Sequence, residues 1–166
     1  MGNIYFTADT HFGSDALRRY ENRPFADTEE MDRELIRRWN ARVGQEDTVY
    51  HLGDLGGEGH EREILSALQG TKYLIKGNHD RQTNSYYRSA GFAEVYDMPV
   101  IFRDFWILSH APLYVCENMP YANLFGHVHA SPLYRDFSRQ HCCVSVERTG
   151  YAPIRLERIE ELVRET

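Results

Sequence analysis

The sequence predicts an α/β chain in which two β-sheets share one core, and three observations carry that reading. The first half alternates short apolar, β-rich runs with stretches of helical periodicity, in the order βαβαβα. The second half, from residues 93–109 onward, is a series of short β-rich runs ending at Gly, Ser or His. No Pro/Gly/Ser-rich linker and no repeat separates the halves, so a single domain over residues 1–166 is expected.

Residues 3–8 form the first strand, with Asp9 and His11 at its C-terminal end. Side chains alternate faces along a strand, so positions 9 and 11 are expected to point the same way. Residues 12–27 read as an irregular, Arg-rich segment containing Arg18, Arg19 and Arg23. An arginine near a strand-end site suits a phosphate, and Arg23 is the candidate for substrate binding, although a solvated surface charge is the plainer role for any one of them. Asp27 then caps a helix with Glu30 completing a capping box, and Met31, Leu35, Trp39 and Val43 give it one apolar face.

Thr48–Leu52 is the second strand and delivers Gly53-Asp54. His51, within that strand, reads as a hydrogen-bonded core histidine. Gly56-Gly57-Glu58-Gly59 lacks the Lys-Ser/Thr ending of a phosphate-cradling loop. A short helix over residues 60–69 leads to the strand Tyr73-Leu74-Ile75, then to Gly77-Asn78-His79-Asp80 and a brief helix over 83–90. In the second half, Phe105–Leu108 ends at Ser109-His110, and Ala122–Phe125 ends at Gly126-His127-Val128-His129, where His127 and His129, two apart at a strand end, are again expected to project to one side. Cys142–Glu147 and Pro153–Leu156 are the last strands, and residues 157–164 form a polar helix or a frayed end.

Composition bounds the function. A net charge of −6, with only two lysines among 19 basic residues, disfavours broad binding to duplex nucleic acid. No apolar run approaches the roughly 18 residues of a membrane span, and the N-terminal residues resemble no secretion signal. Three cysteines without a C-x-x-C spacing point to free thiols in a reducing compartment, with the cytoplasm as the expected location. Cys142 and Cys143 are expected to be buried and inert.

The strand ends carry the chemistry. Asp9, His11, Asp54, Asn78, His110, His127 and His129 make seven oxygen and nitrogen donors, too many for one tetrahedral or octahedral ion and suited to two. His79 has the type of a general acid, and Asp80 that of a group orienting it. Two divalent ions beside two carboxylates leave a net positive site, which attracts an anionic phosphate even in an acidic protein. Mixed nitrogen and oxygen donors suit Mn²⁺, Fe, Ni²⁺ and Zn²⁺ alike, with Mn²⁺ taken as the first candidate.

In this order the blocks resemble the signature of the calcineurin-like metallophosphoesterases, from Asp9 to His129. Thr10-His11-Phe12-Gly13 and Asn22-Arg23-Pro24-Phe25 are similar to the small, cap-less prokaryotic branch, with Ser14 standing where relatives carry histidine. The resemblance implies a four-layer αββα sandwich of two mixed sheets flanked by helices. It implies that Asp9, His11 and His129 hold one metal, that Asn78, His110 and His127 hold the other, and that Asp54 bridges both. It further implies hydrolysis of a phosphate ester, a diester before a monoester, by a metal-bridging hydroxide, with His79 as proton donor and Asp80 orienting it. A small, accessible phosphate ester is the expected partner; long nucleic acid and membrane are not, and oligomeric state is not readable. The alternative is a catalytically silent metal-binding scaffold. A zinc amidohydrolase barrel, suggested by His-x-His, is excluded because such barrels need about 250 residues.

Overall fold

A computed structural model describes all residues from Met1 to Thr166. The elements in chain order are β1 (Ile4–Thr7), α1 (Asp15–Tyr20), α2 (Thr28–Arg42), β2 (Thr48–His51), α3 (Glu61–Ala67), β3 (Thr71–Ile75), α4 (Asn84–Ala90) and β4 (Glu94–Tyr96). They are followed by β5 (Val100–Phe102), β6 (Trp106–Leu108), β7 (Ala122–Phe125), β8 (His141–Cys143), α5 (Val146–Thr149), β9 (Ile154–Arg155) and α6 (Leu156–Glu165). They build two mixed sheets, one ordered β4-β3-β2-β1-β9 and the other β5-β6-β7-β8. In the first, β1 to β4 run parallel and β9 is antiparallel; in the second, β5 is antiparallel to β6 while β6, β7 and β8 are parallel.

The alternation of side chains along the first sheet divides the core in two. Tyr5, Val49, Leu74 and Val95 face α2, α3 and α4, where Met31, Leu35, Trp39, Leu65, Leu68 and Tyr87 meet them. Phe6, Leu52 and Ile75 face the other way, onto Trp106, Leu108, Ala122 and Leu124 of the second sheet. The capping of α2 follows the sequence closely, since Asp27 accepts from the Glu30 N–H at 2.8 Å. Glu30 reaches back one residue further than a capping box requires, to the Ala26 N–H.

Three local expectations need correction. The segment expected to be irregular contains α1, because Ser14 Oγ accepts from the Leu17 N–H at 3.2 Å and starts a helix there. The strand expected over Cys142–Glu147 stops at Cys143, and Val146 opens α5. The last helix is neither polar throughout nor frayed: Leu156 and Ile159 are buried in the cluster between the sheets, with Leu162 and Val163 packed against it. No helix is long and apolar enough to cross a membrane.

The cysteines fall as expected. Cys142 and Cys143 are fully buried, and burial pushes the Cys142 thiol up to about 12 and raises that of Cys143. Cys116 is exposed. A thiol reagent at neutral pH should therefore titrate one of the three thiols in the folded protein and all three after denaturation; rapid reaction of two or more in the native state would refute the burial. Ile159→Ala should lower stability by about 2–5 kcal/mol in urea unfolding, because it empties a fully buried position.

Candidate metal centre

Each strand of interest stops just before its chemistry-bearing residues, and beyond β1, β2 and β7 the backbone at those residues is left-handed. Asp9 has φ 60°, His11 47°, Asp54 59°, His127 71° and His129 48°. Such conformations cost of order 1–3 kcal/mol each for a residue other than glycine, and Asp and His tolerate them better than most. The expectation that strand alternation aims Asp9 with His11, and His127 with His129, is therefore corrected. β1 ends at Thr7 and β7 at Phe125, and left-handed turns do the aiming.

Hydrogen bonds hold these turns in place. The Asp9 N–H donates to the Gly53 carbonyl at 2.9 Å, His11 to Asp54 at 3.1 Å and Phe12 to Leu55 at 2.9 Å, fastening the first loop to the second. His51, fully buried between them, accepts the Gly53 N–H at Nδ1 (3.2 Å), so its Nε2–H donates to Thr10 Oγ1 at 2.9 Å. Burial keeps it neutral, down at about 3. It is a core histidine, as expected. The second sheet joins through Asp9, whose Oδ2 accepts the Ser145 hydroxyl at 2.6 Å and the His127 N–H at 2.8 Å.

The seven predicted donors come together as two groups. In each of the sets Asp9–His11–His129 and Asp54–His110–His127, the donor atoms all lie within 4.8 Å of one another. Asn78 Oδ1 lies 2.9 Å from His110 Nε2, and His127 Nδ1 lies 3.1 Å from the same nitrogen. Asp54 Oδ2 stands between the groups, 3.4 Å from His11 Nε2 and 3.4 Å from His110 Nε2. The His79 N–H occupies the other oxygen, Oδ1, at 2.9 Å. The His110 Nδ1–H donates to the Leu52 carbonyl at 2.7 Å, so Nε2, which faces the group, is the nitrogen that gives up its proton to a cation.

Two observations test whether these residues fit divalent cations. Asp9 Oδ1 and His11 Nε2 are buried without any hydrogen-bond partner, as metal-facing atoms are. The charge balance agrees. Burial opposes ionisation of Asp54, but the imidazoles of His11 and His110, each 3.4 Å away, outweigh it and hold the carboxyl below the usual range. Burial raises Asp9, with His129 and His110 pulling the other way. Burial also works against a charged His110, yet Asp54 and Asp9 lift it to about 9, so in the protein alone a proton stands where a cation fits.

Two predicted residues find roles other than those expected. The Asp80 carboxylate does not orient His79. It accepts backbone N–H groups from Asp54 (2.7 Å), Leu55 (3.1 Å) and Gly77 (2.8 Å), and so shapes the loop that carries Asp54. His79 is exposed, with its ring 5.4 Å from that of His11. Both line a cleft of about 370 Å³ that is also bounded by Ser14, Gly57 and His60. Arg23 does not face this cleft: its side chain is fully buried and bonded to Asp9, Thr10 and Glu147. Arg18 and Arg19 pair with Asp15. Sequence reasoning missed Ser145 and Glu147, because one hydroxyl and one carboxylate at the end of an apolar run carry no spacing signal.

Glycine is required where the groups meet. A Cβ on Gly77 would fall 2.2 Å from Asp54 Oδ1 and 2.8 Å from His110 Cε1. Gly77→Ala should therefore leave a folded protein with reduced metal content by elemental analysis; retention of the wild-type content would show that the loop yields freely.

The chain is 32% identical over 178 residues to the uncharacterized protein MJ1445 of Methanocaldococcus jannaschii, covering 98% of this chain and 92% of that one. It is 40% identical over 85 residues to the Gene 66 protein of Mycobacterium phage L5, covering 48% of this chain and 41% of the phage protein. In fold it is similar to a protein of unknown function, AQ665, from Aquifex aeolicus, with a TM-score of 0.72, 24% identity and coverage of 98% and 100%. The family model described as calcineurin-like phosphoesterase matches residues 2–148, and the chain belongs to that family.

Proposed function

We propose that the protein hydrolyses a phosphate ester, a diester in preference to a monoester, with two divalent metal ions. The observation that carries this reading is the meeting of two donor groups at Asp54 Oδ2, beside the unpartnered Asp9 Oδ1 and His11 Nε2. In this assignment Asp9, His11 and His129 would hold one ion and Asn78, His110 and His127 the other, with the Asp54 carboxylate standing between the two groups. When bound, such a pair supplies a water of lowered pKa and offsets charge on the phosphoryl oxygens. Mn²⁺ is the first candidate, with Fe, Ni²⁺ and Zn²⁺ equally suited to mixed nitrogen and oxygen donors.

The chain's own groups supply the rest. His79 is exposed beside the cleft while its backbone N–H fixes Asp54, so its ring is free to give a proton to a departing alkoxide. Asn78 and His127 are exposed as well, so the centre opens to solvent, which favours an accessible diester over an enclosed metabolite. We place this activity in a reducing compartment, the cytoplasm, acting on a small phosphate ester rather than on long nucleic acid or at a membrane.

Metal-stripped protein should show no hydrolysis of an aryl phosphodiester, and added Mn²⁺ should restore it. Asp54→Asn should abolish it. His79→Ala should slow alkyl esters by about 10²–10⁴-fold and aryl esters much less, because a phenolate leaves without a proton. Binding of two metals with no turnover of diester or monoester would instead mark a silent scaffold.

A further inference from the structure

Glu147 has no place in the reaction as proposed, yet its side chain is only 3% exposed and lies against His129. Its Oε1 is 3.0 Å from His129 Nδ1. An ionised carboxylate only accepts hydrogen bonds, so the ring must present Nδ1–H to it. In the neutral ring the lone pair then sits on Nε2, on the side where Asp9 Oδ1 lies 4.0 Å away. His110, by contrast, leans on the neutral carbonyl of Leu52.

Arg23 grips the same oxygen from the other side. Its Nε and Nη2 donate to Glu147 Oε1 at 3.0 and 2.7 Å, and its side chain is 0% exposed. The remaining donors of the same guanidinium reach the Asp9 carbonyl at 2.6 Å and the Thr10 carbonyl at 2.7 Å. One buried fork therefore holds both the backbone that carries Asp9 and the carboxylate that carries His129. A lysine has no such planar fork and reaches these acceptors less well. Glu147 Oε2 makes no hydrogen bond, so the links to His129 and Arg23 converge on a single atom.

We propose that Glu147 and Arg23 are positioning residues for the Asp9–His11–His129 metal position. Glu147 sets the tautomer and basicity of His129, and Arg23 locks that ring to the Asp9 loop. The pair raises metal affinity at this position and leaves the Asp54–His110–His127 position unchanged. This rests on the dinuclear reading above. Carboxylates that support metal-binding histidines in this way are worth about 10–100-fold in metal affinity.

The test is calorimetric titration of the metal-stripped full chain with Zn²⁺, alongside ¹⁵N-histidine NMR of the apo and Zn²⁺-loaded forms. Wild type should bind two ions, and Glu147→Gln should weaken one of the two sites by about 10–100-fold while the other stays within about twofold. The wild-type spectrum should show His129 protonated at Nδ1 in both forms. Equal affinities in Glu147→Gln and wild type, or equal weakening of both sites, would overturn the proposal. Should Glu147→Gln not fold, the wild-type spectrum decides: protonation of His129 at Nε2 overturns the proposal and protonation at Nδ1 supports it. Fewer than two ions on wild type would refute the dinuclear reading instead, a result distinguishable from the tautomer readout.

Discussion

The structure depends on keeping two metal-facing atoms, Asp9 Oδ1 and His11 Nε2, buried without a hydrogen-bond partner. Asp54 Oδ2 faces imidazole nitrogens from both groups at 3.4 Å, and Asp9 Oδ1 has no hydrogen-bond partner. Buried polar atoms left in this state are unfavourable by about 1–3 kcal/mol each. The surrounding chain has therefore to fix these side chains by their other atoms. Asp9 is held by Oδ2, Asp54 by Oδ1, His110 and His129 by Nδ1, and in each case the atom left over points inward.

That requirement explains why two sheets are needed. The first sheet alone supplies Asp9, His11, Asp54 and Asn78, and the second alone supplies His110, His127 and His129. The sheets meet where the chain beyond β1 bridges that beyond β8, at Ala8 and Ser145. The Ser145 hydroxyl and the His127 N–H both end on Asp9 Oδ2, so the carboxylate that closes the first group also records the distance between the sheets. Phe6, Leu52 and Ile75 packing on Leu108, Ala122 and Leu124 set that distance from below. Apolar burial thus positions the polar centre.

The fold class and the donor set were legible because each rests on local pattern. Apolar runs ending at Gly53-Asp54, Gly77-Asn78 or Gly126-His127 announce both a strand and what lies beyond it. What was not legible depends on contacts far apart in the chain. Arg23 looks like a phosphate ligand by type and by its nearness to the first loop, and only the return of α5 brings Glu147 to it. Asp80 looks like a partner for its neighbour His79, but the tight turn aims its carboxylate at the N–H groups of Asp54 and Leu55 instead. Even where the sequence grouped the right residues, as at Asp9 and His11, strand alternation was the wrong cause, since periodicity cannot register a left-handed turn.

The left-handed turns also bear on the energetics of metal binding. Five donors at positive φ represent conformational strain of order 1–3 kcal/mol each. A cation that binds the folded chain alone, present at a hundred times its dissociation constant, stabilises that chain by about 2.7 kcal/mol. Two such ions offset roughly the strain of two to five of these residues. The metal-free protein keeps its turns through the hydrogen bonds of Asp80, His51, Ser145 and Arg23 and of the donors' own backbones, and not through the metal-facing atoms Asp9 Oδ1 and His11 Nε2. That division of labour has a reason: a centre whose geometry is imposed from outside receives an ion without rearranging, and the chain keeps its affinity for the site it has already shaped.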